Sequence, residues 1–168
     1  MKKSLLILSA LMALSMAFVG CEGGPSDPKL PETPEDVVVT PIKCDMSDAA
    51  WEWGYNSSVK NDDDGNLVIT LSGDYGAGSF GYDPAKDLSG YKTLEVEIAS
   101  VTADDPWYQV IVQTDDEHKV MKDFYGKDAN TVSVDLTKGS LDITSVKQVS
   151  VQGKKAGDVI VVKSVTIK

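Results

Sequence analysis

The sequence predicts an all-β fold, a two-sheet antiparallel β-sandwich, and three observations carry that prediction. First, Lys92–Ile98 and Trp107–Gln113 alternate strictly: Leu94, Val96 and Ile98 share one face against Thr93, Glu95 and Glu97, while Val110 and Val112 oppose Gln109, Ile111 and Gln113. That is the two-residue period of half-buried strands. Second, about nine short runs of this kind follow one another at the ~8–12-residue spacing of a sandwich or barrel. Third, no stretch longer than a turn has helical periodicity. The two alternating runs read as neighbouring central strands.

In chain order, residues 1–20 combine a charged start at Lys2 and Lys3, an apolar run from Leu5 to Phe18 and small residues before Cys21. This is the layout of a secretory signal, and the run is too short for a spanning helix. Residues 21–36 are rich in Gly, Pro and acidic residues with almost nothing to bury, which predicts an extended tether. The domain is expected over 37–168. Its first strand is read at Val37–Thr40, stopped by Pro41, and its second at Trp51–Val59. Asp64-Gly65 then makes a tight turn into a third strand whose core face is Leu67, Ile69 and Leu71. A glycine-rich loop from Ser72 to Ala77 precedes Ser79–Asp83, which places Phe80 and Tyr82 on one side. Beyond the central pair come Lys119–Tyr125, Thr131–Thr137 with Val132, Val134 and Leu136 inward, Val146–Gln152 and Val159–Ile167.

Two segments carry a family resemblance. Asp87-Leu-Ser-Gly-Tyr91 leading into an alternating strand, and the closing Val146–Gly153 and Gly157–Ile167 runs, resemble the jelly-roll carbohydrate-binding modules with a galactose-binding-like fold. Phe18-Val-Gly-Cys21 resembles the bacterial lipobox, which implies lipidation at Cys21. Glu22 after it looks like an outer-membrane sorting signal, and several acyl chains at ~0.8 kcal/mol per buried methylene can hold a protein at a membrane. The modules often hold a structural calcium through a carboxylate in the last strand. Lys163 and Ser164 stand at that place here, so no metal is expected, and Asp158 is the acidic residue left to consider.

Composition excludes several functions. The formal charge is -10, becoming -12 without Lys2 and Lys3, and the chain has no Arg, so neither nucleic acid nor another phosphate ligand is expected. His118 is the only histidine and stands in an acidic turn with Asp115, Asp116 and Glu117. One histidine makes no metal cage, and no serine or cysteine elbow accompanies it. The acidic cluster Asp62–Asp64 lacks the ligand spacing of a calcium loop. Gly73, Gly76 and Gly78 match no phosphate-loop pattern. Cys44, alone once Cys21 is acylated, reads as a small buried hydrophobe. No cofactor is expected.

What remains is aromatic and amide chemistry. Trp51, Trp53, Tyr55, Tyr75, Tyr82, Trp107 and Tyr108 fall in strands and adjoining loops, with Gln109, Gln113, Gln148 and Gln152 nearby. Sugar rings present apolar C–H faces to aromatic rings and hydroxyls to planar amides. The expected carbohydrate-binding residues are Trp53, Tyr75, Trp107, Gln109 and Gln113, with Trp107 exposed and Glu95 and Glu97 beside it on the corresponding side of the preceding strand. A glycan platform of this kind should expose at least two coplanar rings. Trp53, Tyr55, Phe80 and Tyr82 also read as ordinary core aromatics.

The sequence thus predicts a non-catalytic protein, lipid-anchored in the outer membrane at the cell surface. Its ligand is a polysaccharide or oligosaccharide, and its neighbours are glycan-degrading enzymes. The alternative is a structural or adhesive β-sandwich lipoprotein that binds a protein partner, and a small hydrolase ranks third.

Overall fold

The computed structural model describes residues 39–51 and 53–168. The leader, Cys21 and the whole tether lie outside them. Among the described residues eleven strands form two antiparallel sheets. Sheet A runs β3 (Ser57–Asn61), β4 (Leu67–Leu71), β11 (Val159–Ile167), β6 (Thr93–Thr102) and β9 (Asn130–Asp135), and β1 (Ile42–Lys43) pairs with the far end of β11. Sheet B runs β2 (Trp53–Tyr55), β5 (Ala77–Lys86), β10 (Val146–Gly153), β7 (Trp107–Gln113) and β8 (Lys119–Tyr125). Among the described residues the only helical element is a 3-10 turn at Asp48–Ala50.

The core is the layer between the sheets, as the alternation requires. Leu94, Val96 and Ile98 of β6, with Leu67, Ile69 and Leu71 of β4, meet Tyr108, Val110 and Val112 of β7 and Val149 and Val151 of β10. In β11 a register shift around Lys163 inserts one residue, which lets Ile160 and Val162 on one side of it and Val165 and Ile167 on the other all face inward. The sheets approach closely at Gly78, where an added Cβ would come within 2.7 Å of the Ile69 side chain.

Three sequence expectations are corrected. The first strand is not Val37–Thr40: Val39 and Thr40 are irregular, residues 37–38 lie outside the described set, and pairing starts after Pro41. Trp51–Val59 is not one strand. Asn56 adopts a left-handed backbone, φ 47°, and turns the chain from β2 in sheet B to β3 in sheet A. Its carbonyl accepts the Ser72 and Gly73 N–H groups, so the crossing is tied to the loop after β4. Finally, β6 and β7 are not neighbours, for each is central in a different sheet: β6 lies between β11 and β9, and β7 between β10 and β8.

Candidate functional site

Alternation leaves each sheet one outer face, and pairing register fixes what shares it. On sheet B, Gln109 of β7 is opposite Gln152 of β10 and Asp123 of β8, and Gln152 is opposite Ala77 of β5, which in turn pairs with Tyr55. Two residues along lie Ser79, Ser150, Ile111 and Met121, and then Gly81, Gln148, Gln113 and Lys119. The outer face is thus a grid of small, amide and apolar residues, with the charged Asp123 and Lys119 on the β8 edge. Its centre is a floor: Ser79 and Ser150 are outward in register yet only 3% and 4% exposed, and their hydroxyls bond each other at 2.8 Å.

The amides are held by their neighbours. Gln109 Nε2 donates to Asp123 Oδ1 at 2.6 Å, Gln113 Nε2 to Gln148 Oε1 at 3.3 Å, Gln148 Nε2 to Ser150 Oγ at 2.8 Å, and Gln152 Nε2 to the Tyr75 carbonyl at 2.9 Å. Each retains a second N–H and oxygen lone pairs for another partner.

One end of the grid is aromatic. Trp107 pairs with Tyr125, which is 72% exposed, and Tyr75 reaches across from the β4–β5 loop to within 6.2 Å of the Trp107 ring. Tyr75 has a left-handed backbone, φ 55°, its N–H donates to the Lys154 carbonyl, and Gly76 after it leaves no room for a Cβ against the Asn56 carbonyl at 2.4 Å. The main chain therefore fixes where this ring stands. The Lys154 ammonium pairs with Asp105 on the same rim, and that bond holds the lysine pKa above its ordinary value.

The expected site residues fare differently. Trp107, Gln109 and Gln113 do share the outer face of β7, and Tyr75 joins them. Trp53 stands opposite Ser79 in β2. Trp107 is half-buried rather than exposed, because Tyr75 packs on it. Tyr75 and Trp107 do not form a flat platform, since their ring planes meet at 83° and make a corner. Glu95 and Glu97 are not beside Trp107: they lie on the outer face of sheet A, paired with Lys168 and Lys163, and the Lys163 bond holds the Glu97 carboxyl below its ordinary pKa. Of the supposed core aromatics, Phe80 and Tyr82 do pack against the core, whereas Tyr55 is 67% exposed. Trp51 is core, with its indole N–H donating to the Asp45 carbonyl.

Sequence reasoning missed Tyr125. The signal was available, because counting outward from a turn at Asp115–His118 pairs Gln113 with Lys119 and hence Trp107 with Tyr125.

Other chemical candidates are accounted for locally. His118 is exposed and its ring Nδ1 lies 2.9 Å from Asp115, whose carboxyl also accepts the His118 and Glu117 backbone N–H groups. Asp62 accepts the Asn66 side chain and the Asp64 and Asn66 N–H groups, which closes a turn. Asp158 is buried and accepts the Lys155 N–H. Cys44 is buried against the Tyr82 hydroxyl, and burial pushes its thiol pKa up. Among the described residues no three His, Cys, Asp or Glu side chains come together as metal ligands.

No family model matches the sequence, and no curated protein does. Solved structures do match. A point mutant of a family 29 carbohydrate-binding module superposes with a TM-score of 0.58 at 16% identity, covering 76% of this chain and 90% of that one. A second family 29 mutant, complexed with mannohexaose, gives 0.53 at 16% identity over 68% of this chain and 77% of that one. PfGH50B gives 0.55 at 12% identity over 69% of this chain, which spans 22% of that longer one. This chain therefore has the jelly-roll β-sandwich fold of the carbohydrate-binding modules.

Proposed function

We propose that this is a non-catalytic glycan-binding protein, lipid-anchored through Cys21 at the bacterial outer membrane, whose outer sheet-B face holds a neutral polysaccharide. The observation that carries the reading is the row of oriented, uncharged amides on that face, bordered at one end by Tyr75, Trp107 and Tyr125. Rings offer the apolar contact and amides the hydroxyl contacts that a pyranose needs. The mannohexaose held by a module of the same fold supports that ligand class. The acidic surface favours an uncharged glycan over an anionic one. Neighbouring enzymes would supply the chemistry this chain lacks.

A glycan-array screen of the detergent-solubilised protein tests the reading. Retention of neutral glycans is expected, with Trp107→Ala weakening it by one to two orders of magnitude, since loss of an aromatic stacking partner typically costs ~1–3 kcal/mol. A protein that retains no glycan, or a variant that binds as well as the parent, assigns the face to another task. Separately, Cys21→Ala should release the protein from membranes, and continued outer-membrane fractionation of that variant removes the anchor.

A further inference from the structure

Strand β2 covers β5 only over Ala77–Ser79, so the rest of that edge of β5 is not paired by it. Beside it, between the Asp45–Ala50 segment and the second half of β5, opens a cleft of about 820 Å³ lined by Tyr82, Asp83 and Lys147 and also by Gly81 and Gln148. This volume lies in the range of small-molecule sites. Gly81 and Gln148 are at the same time the last row of the sheet-B grid. The cleft therefore shares Gly81 and Gln148 with that face and lies at the opposite end from the Tyr75–Trp107 corner. From Ala77 to Asp83 the strand advances by about 20 Å at the usual rise per residue.

We infer that the glycan runs along β5 and β10, from the Tyr75–Trp107 corner over the serine floor into the cleft at Gly81 and Gln148, so that the protein selects long chains engaged at both ends. The inference rests on the glycan reading above and adds direction and length to it. The row between the two ends suits this path, because Ala77, Ser79 and Ser150 are small and buried and the two serine hydroxyls already satisfy each other. The cleft supplies the far end with a carboxylate at Asp83 and an amide at Gln148. A chain crossing the strands instead would touch the corner and Tyr125 and leave the cleft empty.

Gly81 gives a clean obstruction. An added Cβ there meets nothing within 4 Å, and a β-branched side chain is favourable in a strand, so Gly81→Ile should fold. Calorimetric titration of the whole protein with β-1,4-linked gluco- and manno-oligosaccharides, as di-, tetra- and hexasaccharides, reads the effect. The parent should bind hexasaccharide at least about tenfold more tightly than disaccharide. Gly81→Ile should lose that increment, binding hexasaccharide no more tightly than disaccharide, whereas Trp107→Ala should weaken both. Equal hexasaccharide affinity in parent and Gly81→Ile, with Trp107→Ala still weakened, overturns the lengthwise path while the glycan reading stands. If the parent binds none of these sugars and no glycan on the array, the glycan reading falls and this inference with it.

Discussion

The outer faces of the two sheets are built from the same alternation and differ in what they do with it. On sheet A the outward positions of β6 hold Glu95 and Glu97, and both carboxylates are taken by lysines of β11 and the chain end. On sheet B the outward positions of β7 hold Trp107, Gln109 and Gln113, whose neighbours are amides, a carboxylate and aromatic rings. Charge pairs satisfy each other and offer little to a neutral ligand. Half-used amides next to apolar rings offer both kinds of contact. A periodic sequence therefore marks which residues leave the core, and only the partner strands decide whether the face they form is finished or open.

The largest test of this contrast strikes what both faces share. Leu94 is fully buried in the layer between the sheets, and Leu94→Ala should cost ~2–5 kcal/mol in chemical denaturation. Selective loss of one sheet, rather than a single transition, would show that the faces are not supported by one core. Tyr125→Ala comes next, for it removes an exposed ring from the open face. Glycan binding should weaken several-fold with the unfolding midpoint unchanged.

Acid probes the carboxylates. The Lys163 bond lowers the folded pKa of Glu97, and the Thr137 side chain and backbone do so for Asp135, while turns lower those of Asp62, Asp87 and Asp115. Because the folded values lie below the unfolded ones, this stabilisation is present above the ordinary carboxylate range and is lost as pH falls through the folded values. The melting temperature should hold between neutrality and about pH 5 and decline below about pH 4. A decline that begins near neutrality would assign it to other groups. The smallest effect belongs to Lys163→Ala. This pair is solvent-exposed, so the melting temperature should shift slightly and binding not at all. A loss of binding in this variant would move the site to sheet A.

Much of the fold was legible because burial writes a period of two into the chain: β4, β7 and β11 fall where alternation puts them. Adjacency was not legible. Glu95 and Trp107 each occupy outward positions in central strands, yet nothing in their spacing says that the chain changes sheets between them. Nor does Trp51–Val59 announce the crossing at Asn56, since asparagine tolerates the left-handed backbone without the glycine that would have flagged it. The candidate site was legible on β7, where it depends on one strand, and illegible at Ser79 and Ser150, where small outward serines become a covered floor only once two strands are laid side by side.

The bonds that hold the four glutamines bear on the kinetics of binding. Gln109, Gln113, Gln148 and Gln152 are each tied to a neighbour before any ligand arrives, so little rotamer freedom is left to lose on association. Tyr75 is fixed in the same sense by its backbone. Such a surface has no slow rearrangement to complete. Stopped-flow traces should follow a single exponential whose rate rises linearly with sugar concentration, so that differences in affinity between glycans reside in how fast each one leaves.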